Sequence, residues 1–188
     1  MKELQAFHVV LTTHNSRVSE RMIKYNIQRG VPVELTLDIE IMLTKIISLI
    51  IKENGFKILA YNICKDHIHI MPVCEYEELP KMIQKIKSVS SKLFRRQIDG
   101  NSVNLDHTGT IGIQHLWSQK FYRGMLDEWE LSTYSNRPGL IYKSSHLRNA
   151  IDYIRSNRAK HGLQLSDELE KLISEFVTTE EIAYGIIE

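Results

Sequence analysis

Two histidines lie one residue apart in the stretch YNICKDHIHIMPVC, which runs from position 61 to position 74. Alternation along a strand places the side chains of His67 and His69 on one face, with Ile68 and Ile70 on the other. Neighbouring imidazoles disfavour each other's protonation, and a divalent metal ion relieves that conflict. The pair is therefore either a packed feature of a strand or half of a metal site.

A further metal ligand would have to come from elsewhere in the chain, because two histidines do not complete a site. Cys64 lies an odd number of residues from His67, and Cys74 an odd number from His69. In a regular strand both thiols would point to the opposite face. These positions disfavour a zinc site, and with it a zinc-dependent hydrolase of a small molecule.

A helix late in the chain offers polar side chains of another kind. It is expected from a cap at Ser144-Ser145 to Gly162. Its apolar positions recur at helical spacing and should pack on the sheet: Leu147, Ile151, Ile154 and the aliphatic stem of Arg158. Tyr153 and Asn157, four residues apart, share one flank of that stripe. Tyr153 is an ordinary surface tyrosine unless this flank covers the paired histidines.

Basic side chains are concentrated in two stretches. The helix expected over 79–97 carries bases and no acid between positions 81 and 96: Lys81, Lys85, Lys87, Lys92, Arg95 and Arg96. A second group surrounds Tyr153: Lys143, Arg148, Arg155, Arg158 and Lys160. Unopposed bases at this density favour phosphate contacts over a merely solvated face, so both groups are predicted to bind nucleic acid.

The net charge of +1 averages two unlike parts of the 188-residue chain. Residues 1–163 hold 23 basic and 16 acidic side chains, whereas residues 164–188 hold seven acids and one base. No apolar run is long enough to span a membrane, and the first residues do not form a secretory leader. The two cysteines are therefore expected to be reduced, and the chain is expected in the cytoplasm.

The local patterns indicate an α+β fold, with an antiparallel sheet and helices packed on it. The expected order is a strand over 6–14, a helix over 37–54, a hairpin of 56–63 and 67–73, the basic helix, a strand over 115–125 and the Tyr153 helix. Loops are expected over 99–112 and 126–139. Two short helices follow, capped at Ser166 and near Thr178.

The chain resembles the single-tyrosine transposases of the HUH superfamily, which include IS200-like transposases and relatives associated with repetitive extragenic palindromes (REP). Five stretches carry the resemblance, in the family's order: FHVVLTTHNSR, DHIHIMP, KMIQKIKSVSSKLFRRQ, LWSQKFYRGM and LRNAIDYIRSNRAKHGL. It implies a ferredoxin-like HUH fold for a nuclease and strand-transferase domain over 1–163. An acidic helical C-terminal extension would then occupy 164–188.

The resemblance also implies an activity: metal-dependent cleavage and rejoining of single-stranded DNA through a 5′-phosphotyrosine, in transposition or recombination. His67, His69 and Asn157 would hold Mg²⁺ or Mn²⁺, and Tyr153 would be the nucleophile. DNA contacts are expected at Arg17, Lys85, Lys87, Lys92, Arg95, Arg96, Arg148 and Arg155. The expected partners are single-stranded or hairpin DNA and a second copy in a homodimer, with no membrane and no nucleotide cofactor.

Some features depart from the family pattern. Relatives often carry Asn-Pro where this chain has Asn157-Arg158, and the acidic tail has no evident counterpart. A non-cleaving nucleic-acid-binding regulator that kept the fold is therefore the alternative function. The tail itself either docks by its apolar stripe on the domain or a dimer mate, or competes with phosphates for the basic surface.

Overall fold

Four antiparallel strands form the sheet on which the molecule is built. The computed structural model describes residues 4–18, 20–101, 115–125 and 140–185. The strands are β1 (Gln5–Thr12), β2 (Lys57–Cys64), β3 (His67–Cys74) and β4 (Tyr122–Met125), in the spatial order β2-β3-β1-β4. β3 lies between β1 and β2 and is antiparallel to both. This is the ferredoxin-like order, so the predicted α+β class is confirmed.

Two long helices cover one face of the sheet. A short helix, α1 (Glu20–Lys24), is followed by α2 (Leu37–Asn54) and α3 (Leu79–Asn101). Alternate residues of the central strands face these helices and form the larger core: Phe7, Val9, Leu11, Ile68 and Ile70. α2 ends where the sequence predicts, because Gly55 adopts a φ of 62° that favours glycine.

The opposite face is covered by α4 (Leu140–Arg155) and α5 (Asn157–Lys160). The predicted apolar stripe of the helix packs on the sheet, with Leu147, Ile151 and Ile154 against Ala60, Met71 and Val73. α4 begins at Leu140, so the predicted cap at Ser144-Ser145 is wrong and these serines lie inside the helix. Ser156 separates α4 from α5, and Gly162 follows with a φ of 61°.

The strand predicted over 115–125 is shorter than expected, because only its last four residues join the sheet as β4. Before them, Trp117 forms an isolated bridge with Thr13, and its indole N–H donates to Ser90 Oγ at 2.9 Å. The Lys87 ammonium group donates to the carbonyl oxygens of Ser118 and Gln119. These contacts hold residues 117–119 against α3.

The loops predicted over 99–112 and 126–139 fall outside the described residues, except for positions 99–101, which end α3.

The acidic tail folds back on the same chain. It contains α6 (Asp167–Ser174), capped by Ser166 as predicted, and α7 (Glu180–Ala183), whose cap is Thr179, one residue beyond the expected position. Leu169 and Phe176 join the core on the α2 side, whereas Ala183 is buried on the α4 side. The tail therefore crosses the outer edge of β2. Among the described residues, no helix is long and apolar enough to cross a membrane.

A histidine and tyrosine cluster as the candidate active site

His67 and His69 lie side by side on β3, as the alternation predicts. Each is 5% exposed, and their ring centroids are 4.9 Å apart with an angle of 83° between the rings. Backbone pairing on both sides of β3 fixes the position of the two residues. The pair is thus held on a rigid element, on the sheet face that α4 and α5 cover.

The Nδ1 atom of each paired histidine has a partner. His67 Nδ1 lies 2.6 Å from Asp66 Oδ1, and the Asp66 carboxylate also forms an ion pair with Arg17. Burial raises the pKa of Asp66, but the bonds from His67 and Arg17 outweigh it and leave the pKa below its ordinary value. His69 Nδ1 lies 2.8 Å from His8 Nε2. The Nε2 atoms are therefore the nitrogens that both paired rings can present to a ligand.

His69 stays uncharged at neutral pH. Burial lowers its pKa to about 3, and the neighbouring rings of His67, His8 and His161 act in the same direction. A charged imidazolium cannot bind a metal ion, since the ligating nitrogen must be unprotonated. The environment of His69 thus favours the form that can act as a ligand.

Tyr153 extends from α4 over this cluster. Its ring centroid is 5.7 Å from that of His69 and 5.9 Å from that of His8, and the side chain is 44% exposed. The Lys160 Nζ atom lies 4.2 Å from the centroid of the Tyr153 ring. The condition set by the sequence is therefore met: the flank of the helix that carries Tyr153 covers the paired histidines.

Two polar anchors hold the helical segment over the sheet. Asn62 Nδ2 donates to the Ile154 carbonyl oxygen at 2.7 Å, at the end of α4. In α5, the buried Arg158 guanidinium donates to Glu40 Oε2 at 2.6 Å and to the Ile63 carbonyl oxygen at 2.9 Å. A buried ion pair with these extra hydrogen bonds strongly constrains the position of α5.

Asn157 is almost fully buried, at 1% exposure. Its Oδ1 atom accepts from Cys64 Sγ at 3.8 Å, and its Nδ2 atom has no hydrogen-bond partner among the residues that the structure describes. Rotating the amide exchanges these two atoms, which have similar shape. The amide is thus a candidate oxygen ligand, and its contact Cys64 is paired with His67 across the hairpin. No three His, Cys, Asp or Glu side chains of the described part of the chain are grouped to hold a metal ion.

Cys64 is on the same face as His67, which contradicts the sequence argument about its direction. The two residues are paired across the β2–β3 hairpin. The odd spacing misleads because the two-residue turn between them ends one strand before the next begins, and directly paired residues share a face. Burial raises the pKa of the Cys64 thiol to about 11. Cys74 faces the other core, as predicted, and burial raises its pKa to about 12.

Two further histidines near the site were not identified from the sequence. His8 contacts His69, and the His161 ring centroid is 5.5 Å from that of His67. Strand parity places His8 on one face of β1 but cannot show that this face carries the histidine pair. His161 lies four residues after Asn157, a spacing that places both on one side of a helix.

The predicted DNA-binding residues of α3 are placed in two ways. Lys85, Lys92, Arg95 and Arg96 are exposed. Lys87 is half-buried, and its ammonium group donates to two carbonyl oxygens at 2.6 and 2.8 Å, while burial lowers its pKa. The exposed four form the surface that we call the α3 basic face. Lys87 instead ties α3 to residues 115–121.

A groove of about 470 Å³ runs between α3 and residues 115–121. Among the described residues, its lining includes basic, hydroxyl and aromatic side chains and no acid: Pro80, Ile83, Gln84, Lys87, Ser88, Ser91, Arg95, His115, Leu116, Trp117, Ser118, Gln119 and Phe121. A cavity of about 320 Å³ on the other face brings the exposed Arg148 and Arg155 beside Glu180 and Glu181 of the tail. Acidic tail residues therefore do lie near predicted DNA-binding arginines.

Comparison with known protein families shows which family the chain belongs to. Residues 5–136 match the family described as "Transposase IS200 like". The chain belongs to the IS200-like transposase family. Within this family match lie the paired histidines, the α3 basic face and β4, whereas Tyr153 and Asn157 lie beyond its end.

Solved structures similar to this IS200-like transposase share little sequence with it. A "putative transposase" from Deinococcus radiodurans R1 is 14% identical, with a TM-score of 0.48, over 72% of this chain and 91% of its own. A REP-associated tyrosine transposase bound to a REP hairpin is 17% identical, with a TM-score of 0.46, over 87% of this chain and 72% of its own. No curated protein matches the chain.

Proposed function

We propose that this IS200-like transposase cleaves and rejoins single-stranded DNA with Tyr153 as its nucleophile. The position of Tyr153 carries the proposal: its half-exposed phenol lies against His8 and His69 on a helix anchored to the sheet. A surface tyrosine needs no such cluster, whereas a nucleophile must lie beside the groups that stabilise the reacting phosphate.

The reaction would proceed in two steps, cleavage and rejoining. Tyr153 Oη attacks the phosphorus of a phosphodiester, and the bond from phosphorus to the 3′ oxygen breaks. The phenol proton passes to water, and the leaving 3′ oxygen takes a proton from water. A 3′-OH then attacks the 5′-phosphotyrosine, restores a phosphodiester and releases the phenol. Because the phosphotyrosine bond retains the energy of the broken linkage, no nucleotide cofactor is needed.

We further propose that His67, His69 and Asn157 hold Mg²⁺ or Mn²⁺. The proposal is supported by two imidazoles whose Nδ1 atoms are occupied and by a buried amide with an orphaned atom. A divalent ion bound there would offset the negative charge of the phosphate oxygens during attack by an oxyanion. The chain's own part is to hold the ligands in the correct tautomer and to exclude alternative orientations of the rings.

The α3 basic face and the groove beside it are the proposed DNA interface. Four exposed bases, beside a groove with no acid among its described lining residues, suit the phosphate backbone of single-stranded or hairpin DNA. This face lies on the α2–α3 side of the sheet, whereas Tyr153 lies on the α4 side. DNA bound at α3 would therefore have to pass around the sheet to reach the nucleophile.

This function is tested by measuring covalent protein–DNA adducts in the presence of Mg²⁺ or Mn²⁺. The substrates are single-stranded oligonucleotides that carry the palindromes flanking the gene of this protein. We expect Tyr153→Phe to abolish the protein–DNA adduct and to leave DNA binding largely unchanged, because only the attacking oxygen is removed. Tyr184→Phe, in the tail, is the matched control and should retain adducts.

Two outcomes would contradict the proposal. Adducts that persist in Tyr153→Phe would assign the nucleophile to another tyrosine, with Tyr184 as the next candidate. A wild-type protein that binds hairpin DNA tightly but never nicks it with either metal would instead support the non-cleaving regulator. A homodimer and a cytoplasmic location remain predictions, and sedimentation of the purified chain with and without hairpin DNA tests the first.

A further inference from the structure

His8 projects from β1 towards the strand that carries the paired histidines. Val10 lies opposite His69 in the β1–β3 register, and residues 8 and 10 share one face of β1. On the other side of β1, the residue opposite His8 is Gly124 of β4. A glycine offers no side chain for contact on that side, and the His8 ring contacts His69 of β3. Its centroid lies 5.1 Å from that of His69.

The 2.8 Å contact between His8 Nε2 and His69 Nδ1 can hold a single proton. If His8 donates, His69 must carry its own proton on Nε2, and that nitrogen cannot bind a metal ion. If His69 donates from Nδ1, its Nε2 lone pair is free. The direction of this hydrogen bond therefore decides whether His69 can be a ligand.

We infer that His8 is a positioning residue for the metal site, accepting a hydrogen bond from His69 Nδ1–H and thereby presenting the Nε2 lone pair of His69 to a divalent ion. The inference rests on the proposed function, because it concerns the proposed metal. Asp66 Oδ1 lies 2.6 Å from His67 Nδ1 and would accept a hydrogen bond from it in the same way. A partner on the second ring nitrogen fixes the tautomer and orientation of a metal-binding histidine and increases its basicity.

The surroundings of His8 support a role as acceptor. Its Nε2 atom lies 2.8 Å from His69 Nδ1, and a neutral imidazole has one ring nitrogen with a lone pair that can accept. Tyr153 also lies against the His8 ring, with its centroid 5.9 Å away. The His8 ring therefore contacts both the proposed nucleophile and a proposed metal ligand.

The experiment distinguishes the effect of the hydrogen-bond acceptor from the effect of side-chain size. His8→Gln keeps an acceptor in the Oε1 atom, and His8→Leu removes it at similar size. Free Mn²⁺ in titrations of each full-length variant is measured by electron paramagnetic resonance. We expect wild type and His8→Gln to bind Mn²⁺ similarly, and His8→Leu to bind it roughly ten- to a hundredfold more weakly.

A second measurement needs neither metal nor DNA. Long-range ¹⁵N–¹H correlation spectra report which ring nitrogen of His69 carries the proton. We expect protonated Nδ1 in wild type and His8→Gln, and a mixture of tautomers in His8→Leu. Melting without metal checks that each variant is folded, and His8→Met replaces His8→Leu if the latter is not.

The inference is overturned if the variant without an acceptor binds Mn²⁺ like wild type, or if its His69 tautomer is unchanged. It is also overturned if His8→Gln is as defective as His8→Leu. A wild-type protein that binds no Mn²⁺ would contradict the proposed metal itself. That failure is distinguishable, because the tautomer of His69 would still be observed.

Discussion

Lys160 is the cation nearest to the ring of Tyr153 among the described contacts, with its Nζ atom 4.2 Å from the ring centroid. A cation over an aromatic ring stabilises it by about 0.5–1 kcal/mol at exposed sites, and it would also stabilise negative charge on the phenolic oxygen. Lys160 reaches this position because α5 continues over the sheet after the break at Ser156.

We expect Lys160→Met to slow covalent adduct formation about five- to tenfold, since about 1 kcal/mol of charge stabilisation is lost. The measurement is the single-turnover rate at saturating oligonucleotide. Lys160→Arg should largely retain the rate, and Lys171→Met, an exposed lysine of the tail, is the control. Equal rates in Lys160→Met and wild type would mean that the ammonium group packs on the Tyr153 ring without stabilising the negative charge of the phenolic oxygen.

The pH dependence of stability should report the buried histidines. The folded-state pKa of His69 is lowered to about 3, below the ordinary value of 6.5. Its contribution to stability is therefore present above pH 6.5 and is lost as the pH falls from there towards 3. In that range His69 binds a proton in the unfolded chain but not in the folded chain. At pH 5.5 this linkage costs about 1.4 kcal/mol relative to pH 8.

Urea unfolding in EDTA at pH 8 and pH 5.5 measures this effect. The drop in the free energy of unfolding should be smaller in His69→Gln, which has no titratable group at that position. His8, whose pKa burial also lowers, contributes in the same direction in both proteins. The same drop in wild type and His69→Gln would show that His69 is not the group responsible.

At the scale of elements, a buried ion pair holds the junction between α4 and α5. Arg158, the residue after Asn157, is 7% exposed and paired with Glu40 of α2. The pair links α5 to α2 at the end of β2, through the bond from Arg158 to the Ile63 carbonyl. The ion pair and this hydrogen bond thus position the segment that carries Asn157.

The α3 basic face should contact DNA without reading its sequence. We expect Lys85→Ala and Lys92→Ala each to weaken binding to all single strands similarly, because each removes one phosphate contact. The slope of log affinity against log salt should flatten by about 0.7 per lost contact. Fluorescence anisotropy with two unrelated oligonucleotides measures both quantities.

Two controls define the result. Lys57→Ala, an exposed lysine at the start of β2, should leave the slope unchanged. Lys87→Ala should chiefly lower the melting temperature, because it removes two hydrogen bonds that hold residues 115–121. An unchanged slope in both Lys85→Ala and Lys92→Ala would make the α3 basic face a merely solvated surface.

At the scale of the whole molecule, the tail joins the two faces of the sheet. Ion pairs connect Lys45 to Glu168 at 2.8 Å and Lys52 to Glu175 at 3.0 Å, on α2. Thr178 N–H then donates to the Ile58 carbonyl oxygen at 2.8 Å, along the edge of β2. This contact covers an edge strand that would otherwise offer unpaired backbone groups to another chain.

Deleting residues 178–188 should therefore destabilise the protein by about 2 kcal/mol, because the edge contact and the buried Ala183 are lost. For a chain of this size we expect the melting temperature to fall by roughly 4–8 °C. Differential scanning calorimetry measures the change. A deletion that melts like wild type would show that the tail contributes nothing to the stability of the domain.

The charge of the tail is tested separately with Glu180→Gln/Glu181→Gln, which leaves α7 in place. If the acids compete with phosphates for Arg148 and Arg155, this variant should bind random single strands roughly two- to threefold more tightly at low salt, and converge with wild type as salt rises. Equal affinity at low salt would leave the tail with its structural role alone.

Much of this molecule could be predicted from local patterns. The apolar period of α2 and the glycine after it set the bounds of that helix, and alternation in HIHI placed two imidazoles on one face. These features depend on the geometry of a single helix or strand, which neighbouring residues determine. The position of Tyr153 followed from helical spacing in the same way, whereas Asn157 lies beyond the break at Ser156 and is buried.

Tertiary structure decided what depends on register and packing between distant segments. Only the pairing of β1 with β3 brings His8 to His69, and only the hairpin register turns Cys64 towards Asn157. The packing of residues 115–121 on α3 likewise gives Lys87 two carbonyl partners in place of solvent. Spacing along a chain cannot reveal these contacts, because they form between residues whose separation in sequence carries no information about their distance in space.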